Sequence, residues 1–373
     1  MKTALLKTWT KSAACAAFAA ALAAGCGGKP ELAPRAPEGT EAALMLDYRE
    51  AAKVPQFKQE MQKSLASVAD MLPKELAGLK PLLERQNVAN GLKWCVLTVG
   101  NVSKFEEGKP VCVPDVGLAV ALPKADGEAC RAEIEKALDS SDELKEVKKE
   151  LQAGVEVADA EIAGCKAWKL VFKGDAVQAL KAAKLENLAP CGAWLGEDLF
   201  LAASNEKALA DLIALHRDGA GASGKFAFGK ALCCGIVAEP GRLAAQQLDD
   251  DDLKGAPGGA AFIKSLADLR LTIGLSEDGK SVTYAASVMT GDAKVAKELR
   301  EQATGLLAMA KMGMAAGEQN GAPSDDAALA KALFDSVKIE GEADIRVSFS
   351  LPLDQLVGQM KKEIKKQGGA LLK

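Results

Sequence analysis

Histidine is nearly absent from this 373-residue chain, which carries only His216. A multi-histidine metal site cannot be built from it, nor can a cysteine-rich zinc site with histidine partners. A Ser-His-Asp triad would have to use that one imidazole. Aromatic residues make up 4% of the chain, few for a protein that reads glycans by ring stacking. No dense basic stripe occurs and the formal net charge is −4, so nucleic acid is not an expected partner. The cysteines include no C-x-x-C pair. The N-terminal apolar run Ser12–Gly25 is too short to cross a bilayer as a helix.

That same N-terminus is the most informative part of what is present. Lys2, Lys7 and Lys11 form a positive n-region, Ser12–Gly25 is an uncharged h-region, and the small residues Ala23, Ala24 and Gly25 lead into Cys26. The pattern resembles the signal peptide and lipobox of bacterial lipoproteins, with Ala23 where such signals usually have Leu. The resemblance implies export, cleavage before Cys26, and lipidation of Cys26 by acyl chains, palmitate among them. Several acyl chains on one residue exceed the two signals needed for stable anchoring. Gly27 rather than Asp after the cysteine implies the periplasmic face of the outer membrane. The alternative is an ordinary secretory signal cut after Ala23, leaving a soluble protein.

Losing residues 1–25 removes three lysines and takes the formal charge from −4 to −7. The remaining length suits two domains with proper cores. Besides Cys26, that part holds Cys95, Cys112, Cys130, Cys165, Cys191, Cys233 and Cys234. Disulfides are permitted in an exported chain, but the count is odd and the spacings form no framework. Several cysteines sit where Ala or Val would fit, so buried free thiols are expected.

The organisation read from the pattern is a signal peptide over residues 1–25 and a Pro/Gly-rich tether over 26–39. Two α+β domains follow, over 40–218 and 226–373, with a flexible joint at Gly219–Lys225. The first opens with a strand at Ala42–Asp47. A helix with Phe57, Met61, Leu65, Val68 and Leu72 on one face follows, then a second piece through Leu83. Strands are expected at 94–99 and 117–122, and then a helix capped by Asp126. Hairpins follow at 155–162 with 165–172 and at 192–195 with 199–203, then a helix capped by Ser204. The second domain restarts with a strand at 231–238 and a Gly- and Asp-rich loop at 249–259. A hairpin turned at Asp278-Gly279 has the signature of a type I′ turn. A helix over 292–312, a loop over 313–326, a helix over 327–334, a hairpin at 337–341 with 345–350 and a final helix opened by Pro352 complete the chain. Each domain is expected to be a mainly antiparallel sheet covered by helices on one face, and the parallel grammar of the two halves points to a tandem duplication. This layout loosely resembles exported α+β proteins of planctomycete-like bacteria, a resemblance that transfers no activity.

Four local motifs reduce to structural readings. Gly219–Lys225 matches the first seven positions of a P-loop, but Phe226 replaces the magnesium-binding Ser or Thr and the stretch follows a helix. It reads as a linker, and no nucleotide is expected. Asp249–Asp252 begins a loop with Lys254 and Ala260 where an EF-hand needs Gly and Glu, so no metal site is expected there. Cys233-Cys234 on a strand would point to opposite faces. His216 falls in the last turn of its helix, where it complements the helix dipole and is expected to be dispensable. The basic stretch Lys361–Lys366 complements the final helix in the same way, with phospholipid as a secondary contact.

No catalytic residue and no cofactor is expected, and the one site residue is Cys26. The leading function is a membrane-anchored envelope lipoprotein acting as a non-catalytic interaction or structural module with an envelope protein partner. The alternatives are a carrier for a lipid or other apolar ligand and, third, an enzyme whose best candidates are the strand-end Asp47 and the thiols.

Overall fold

The computed structural model describes residues 25–26, 33–53, 92–102, 113–139, 142–183, 185, 187–247, 259–276, 278–318, 325–341, 344–356 and 358. The helix expected over 57–83, the loop at 249–258, most of the final helix and the basic stretch 361–366 lie outside them. The chain divides into two compact units, Met1–Arg49 with Lys58–Ala227 and Glu50–Phe57 with Phe228–Lys373.

The first unit contains β1 (Gly25–Cys26), β2 (Thr40–Asp47), β3 (Trp94–Gly100) and β4 (Asp115–Ala121). It continues with β5 (Val155–Ile162), β6 (Cys165–Phe172), β7 (Cys191–Leu195) and β8 (Leu199–Ala203). A short helix α1 (Tyr48–Ala52) follows β2. The strand order is β2-β3-β4-β8-β7-β6-β5, antiparallel throughout. Helices α2 (Lys124–Leu138) and α3 (Asp142–Gly154) separate β4 from β5, and α4 (Asp175–Ala182) separates β6 from β7. Helix α5 (Glu206–Asp218) closes the unit.

Alternation sets the faces. Met45, Trp94, Val96, Ala119, Leu201 and Ala203 share one face and are buried. Helix α5 packs against β4, β7 and β8 with Leu209, Leu212, Ile213 and Leu215 buried. Each such side chain contributes about 1.5–3 kcal/mol of burial free energy. On the opposite face Trp168, Leu170, Trp194 and Phe200 form a second core with Leu122 and Val155. Gly192 is required there: a Cβ on it would lie 2.3 Å from Cζ2 of Trp168 and 2.8 Å from the Leu201 carbonyl oxygen.

The second unit contains β9 (Cys233–Ala238), β10 (Leu266–Leu275), β11 (Ser281–Thr290), β12 (Lys338–Glu340) and β13 (Asp344–Pro352) in the antiparallel order β9-β10-β11-β13-β12. Its helices are α6 (Pro240–Gln247), α7 (Gly259–Ser265), α8 (Ala293–Glu318) and α9 (Asp325–Ser336). Tyr284 and Phe349 stack across β11 and β13 at 4.9 Å, beside a small core of Val282 and Leu353. The two units share a connectivity. In each, three successive strands, β2–β4 and β9–β11, lie side by side in chain order, two helices follow the third, and the unit's last strand returns to pair with that third strand, β8 with β4 and β13 with β11; the first unit places β5, β6 and β7 before the return where the second has β12 alone.

The α+β class expected from the sequence holds. The expected count of two sheets does not, because alternation marks a strand without saying which edge it pairs with. Local corrections are more specific. Asn205, not Ser204, caps α5: its Oδ1 accepts the Ala208 N–H at 2.9 Å. Ser204 instead donates to the Pro114 carbonyl at 2.8 Å and accepts from the Val116 N–H at 3.0 Å. Asp126 lies inside the first turn of α2 rather than at its cap. The β10–β11 hairpin is closed at Ser276 and Ser281, with only Gly279 of its Asp-Gly pair left-handed (φ 68°). Asp278 Oδ1 instead accepts from Ser276 Oγ and the Lys280 N–H, so this is a longer, side-chain-braced loop and not a two-residue type I′ turn. Residues 313–318 continue α8, whereas Pro352 stands where expected, as the last residue of β13 and directly before the helical residues 353–356.

The stretch around Gly219 is a pinned turn. Gly219 is the left-handed C-cap of α5, its N–H bonded to the Leu215 carbonyl. The Glu38 N–H donates to Gly221 O at 2.6 Å, the Ser223 N–H to Ala36 O at 3.0 Å, and Pro37 bridges Ala222. Phe226, the residue that spoils the P-loop pattern, is buried. The expected flexible joint and the end of the expected tether therefore brace one another. Neither could be read from composition, because each supplies the other's hydrogen-bond partners.

Candidate functional site

A cavity of about 780 Å³ opens in the first unit where the start of β2, the end of β3 and the start of β4 meet the first half of α5. Its wall includes Glu38, Thr40 and Glu41 from the entry to β2, and Thr98, Gly100 and Asn101 from β3. Asp115 and Gly117 come from β4, Asn187 from the segment before β7, and Asn205, Lys207, Asp211 and Leu212 from α5. The sequence passed over these residues individually, since none belongs to a spaced motif. Gly117 permits the close approach, since a Cβ there would sit 2.7 Å from Thr98 Oγ1 and 3.0 Å from Leu212 Cδ1.

The polar wall is organised by its own hydrogen bonds. Asn205 caps α5 and donates through Nδ2 to Asp115 Oδ1 at 2.8 Å. Lys207 Nζ reaches Asp115 Oδ2 at 3.4 Å and Asp211 Oδ2 at 3.3 Å. The hydrogen bond to Asp211, with the charges of Asp115 and Asp211, holds the Lys207 ammonium above the usual lysine range. Glu41 Oε2 accepts the Val102 N–H at 2.7 Å. Thr98, 4% exposed, donates its hydroxyl to the Gly117 carbonyl at 3.2 Å. This arrangement can bind and orient a ligand; no hydroxyl or thiol of the wall has a base aligned on it among the contacts described.

No family model, no curated protein and no solved structure matches this chain. Its site must be argued from its own geometry.

Each residue singled out from sequence falls elsewhere. Cys26 lies in the two-residue β1, paired parallel to β7 with Gly25 opposite Trp194 and Cys26 opposite Leu195. It occupies the end of β7 that β6 leaves open, since β6 pairs only as far as Ala193. His216 is not at a solvated helix end: it is fully buried, its ring stacked on Trp94 with centroids 5.8 Å apart and planes at 24°. Helix α5 turns its C-terminal end onto the sheet, which the sequence position alone did not reveal. Asp47 is 4% exposed and held by Arg49, whose backbone N–H, Nε and Nη2 bond its carboxylate at 3.0, 2.9 and 2.5 Å. That bidentate clamp is a strand-end brace.

The thiols of Cys165, Cys191, Cys233 and Cys234 form no disulfide. Burial, aided by the Glu206 charge and partly offset by Lys169, pushes Cys191 up to about 12. Burial pushes Cys234 up to about 11 and raises Cys233 as well. Such thiols are protonated at neutral pH and poor nucleophiles. Cys112 lies outside the described residues, as does the Cys130 side chain. Among the described residues, no group of three or more His, Cys, Asp or Glu is placed to hold a metal ion, and no helix is long and apolar enough to cross a membrane.

Proposed function

We propose that this chain is an exported protein of the cell envelope, anchored through acyl groups on Cys26 at the periplasmic face of the outer membrane, that works as a non-catalytic interaction module. The observation that carries the interaction reading is the outer face of α8. Leu306, Met309 and Met312 are 63%, 57% and 64% exposed and follow one another at three-residue spacing along one stripe. No charged residue occurs between Gln302 and Ala310. A contiguous apolar stripe of this kind is costly to leave in water and marks an interaction surface. Methionine there adapts its shape to a partner. The occupant is a protein of the same envelope presenting an apolar helix or groove. Carriage of an apolar ligand gains no support from the cavity, whose wall is rich in charged, amide and hydroxyl groups. The shared connectivity of the two units supports their origin by tandem duplication.

A photo-crosslinking residue at Met309 in intact cells should give one discrete heavier species, whereas the same residue at Lys294, exposed near the start of α8, should give none. Equal adducts at both sites, or none at either, would refute the interaction reading. The anchor is tested separately: Cys26→Ala should move the protein to the soluble fraction with its melting transition intact. Persistence of that variant in membranes would reject acyl anchoring.

A further inference from the structure

We propose that the outer edge of β5 is a docking site for an extended, basic segment of another protein, which adds to the sheet as one more strand. This goes beyond the α8 reading and rests on different residues. β5 ends the strand order of the first unit, and among the described residues it pairs with β6 alone. Its register fixes which peptide groups stay open. Ala163 and Gly164, left-handed at φ 50° and 73°, form the two-residue turn between Ile162 and Cys165. Such a turn makes Ile162 and Cys165 a hydrogen-bonded pair, so Ala160, Ala158 and Glu156 bond to β6 in alternation. The next step of that alternation is Gly154, whose carbonyl accepts the Lys173 N–H at 2.8 Å. The N–H and C=O groups of Val157, Asp159 and Glu161 therefore point away from β6. All three residues are exposed, and among the described residues nothing bonds to that side of the strand.

An open edge of this length is a template for a further strand, and its side chains select which one. β5 holds Glu156, Asp159 and Glu161 and no basic residue. Glu156 is paired with Lys173. Glu161 faces Lys166 across β6, whereas Asp159 faces Trp168, so Asp159 is the stronger determinant. Asp159 and Glu161 share a face with Val157, which is 50% exposed. Lys or Arg at alternate positions of an added strand sets a cation opposite each carboxylate. On the other face Ala158 and Ala160 are small and leave room for β-branched side chains. A second copy of β5 is the wrong occupant: it brings three carboxylates and no cation, and like charges set opposite each other are destabilising.

The test is fluorescence anisotropy of the peptide (Thr-Lys)4-amide, carrying fluorescein at its N-terminus, titrated with the full-length protein in detergent. Saturable binding of one peptide per chain is expected. Asp159→Asn should weaken it about threefold, and Asp159→Asn with Glu161→Gln about tenfold. Both positions are exposed and both replacements keep the side-chain shape, so the tryptophan-monitored melting transition should stay in place. Two more peptides separate strand pairing from charge attraction. N-methylation of the four lysine amides blocks one edge of the peptide, and N-methylation of the four threonine amides blocks the other, with the charge unchanged. Only one edge can lie against β5, so one of the two should lose binding while the other keeps it. Absence of saturable binding by the parent peptide would overturn the proposal. So would equal retention or equal loss by the two N-methylated peptides, or an affinity indifferent to Asp159 and Glu161. A dimer of the protein that the peptide dissociates would assign the edge to a second copy and overturn it as well. None of these outcomes bears on Cys26 or on the outer face of α8.

Discussion

Replacing Gly192 by Ala should destabilise the first unit through one identifiable contact. Gly192 lies opposite Trp168 in the β6–β7 pair, and the indole lies over it. A methyl group would come within 2.3 Å of Cζ2 of Trp168 and 2.8 Å of the Leu201 carbonyl oxygen. Trp168 is buried among Leu170, Trp194 and Phe200, so its ring cannot swing into solvent without opening that core. Overpacking of this kind costs about 1–3 kcal/mol, and displacing a core indole costs up to about 5 kcal/mol; a net loss of about 2–4 kcal/mol is expected. Beyond the expected signal peptide the tryptophans are Trp94, Trp168 and Trp194, all in the first unit, so their fluorescence reports that unit alone. With a urea slope of about 2 kcal/mol/M, the midpoint should fall by about 1–2 M. The same substitution in a Trp168→Leu background should cost only about 1 kcal/mol, the part owed to the Leu201 carbonyl. Equal costs in both backgrounds, or a loss below about 0.5 kcal/mol in the wild-type background, would refute the assignment of the strain to Trp168.

His216→Gln should cost about 2 kcal/mol or more in urea unfolding, because it removes a fully buried ring stacked on Trp94; a loss under about 0.5 kcal/mol would return His216 to a surface role. Cys191 gives a pH dependence. Its thiol titrates near 9 in the unfolded chain and is pushed up to about 12 in the fold. The stabilisation is therefore fully present below pH 9 and lost as pH rises from about 9 toward 12, because only the unfolded chain releases the proton there. Cys191→Ala should flatten that alkaline decline in tryptophan-monitored unfolding, and an unchanged slope would contradict the burial of the thiol. In the native protein at pH 8, Cys191 and Cys234 should resist iodoacetamide until denaturant is added, as mass spectrometry of the alkylated peptides would show.

Strands and hairpins were the legible part of this fold. The pair 155–162 with 165–172 is legible to the residue, because alternation, a small-residue turn and flanking polar segments all agree. Helices α3, α4 and α7 carry no clear periodic signature in the sequence. Helix α3 is dense in charge with a thin apolar stripe, and α4 and α7 are short enough for their local signal to merge with loop chemistry. Ser204 and Asn205 are both good capping residues in sequence. The choice between them was made by the Pro114 carbonyl and the Val116 N–H, which claimed the serine from 88 or more positions away. The cavity was not legible at all. Asp115, Glu41 and Lys207 are ordinary surface residues until three strands and a helix bring them to one wall.

By itself the sequence determined the α+β class, the strand positions, the turn residues and an N-terminus shaped like a lipoprotein signal. All of these rest on periodicity and residue chemistry within a few positions of each other. The tertiary structure alone decided which helix end is buried, which aspartate braces a strand, and that a glycine-rich stretch is held rigid by residues 36–38. Those outcomes depend on partners far apart in the chain. The free energy of hydrogen bonding and burial belongs to the pair, and a single local sequence window contains only one member of it.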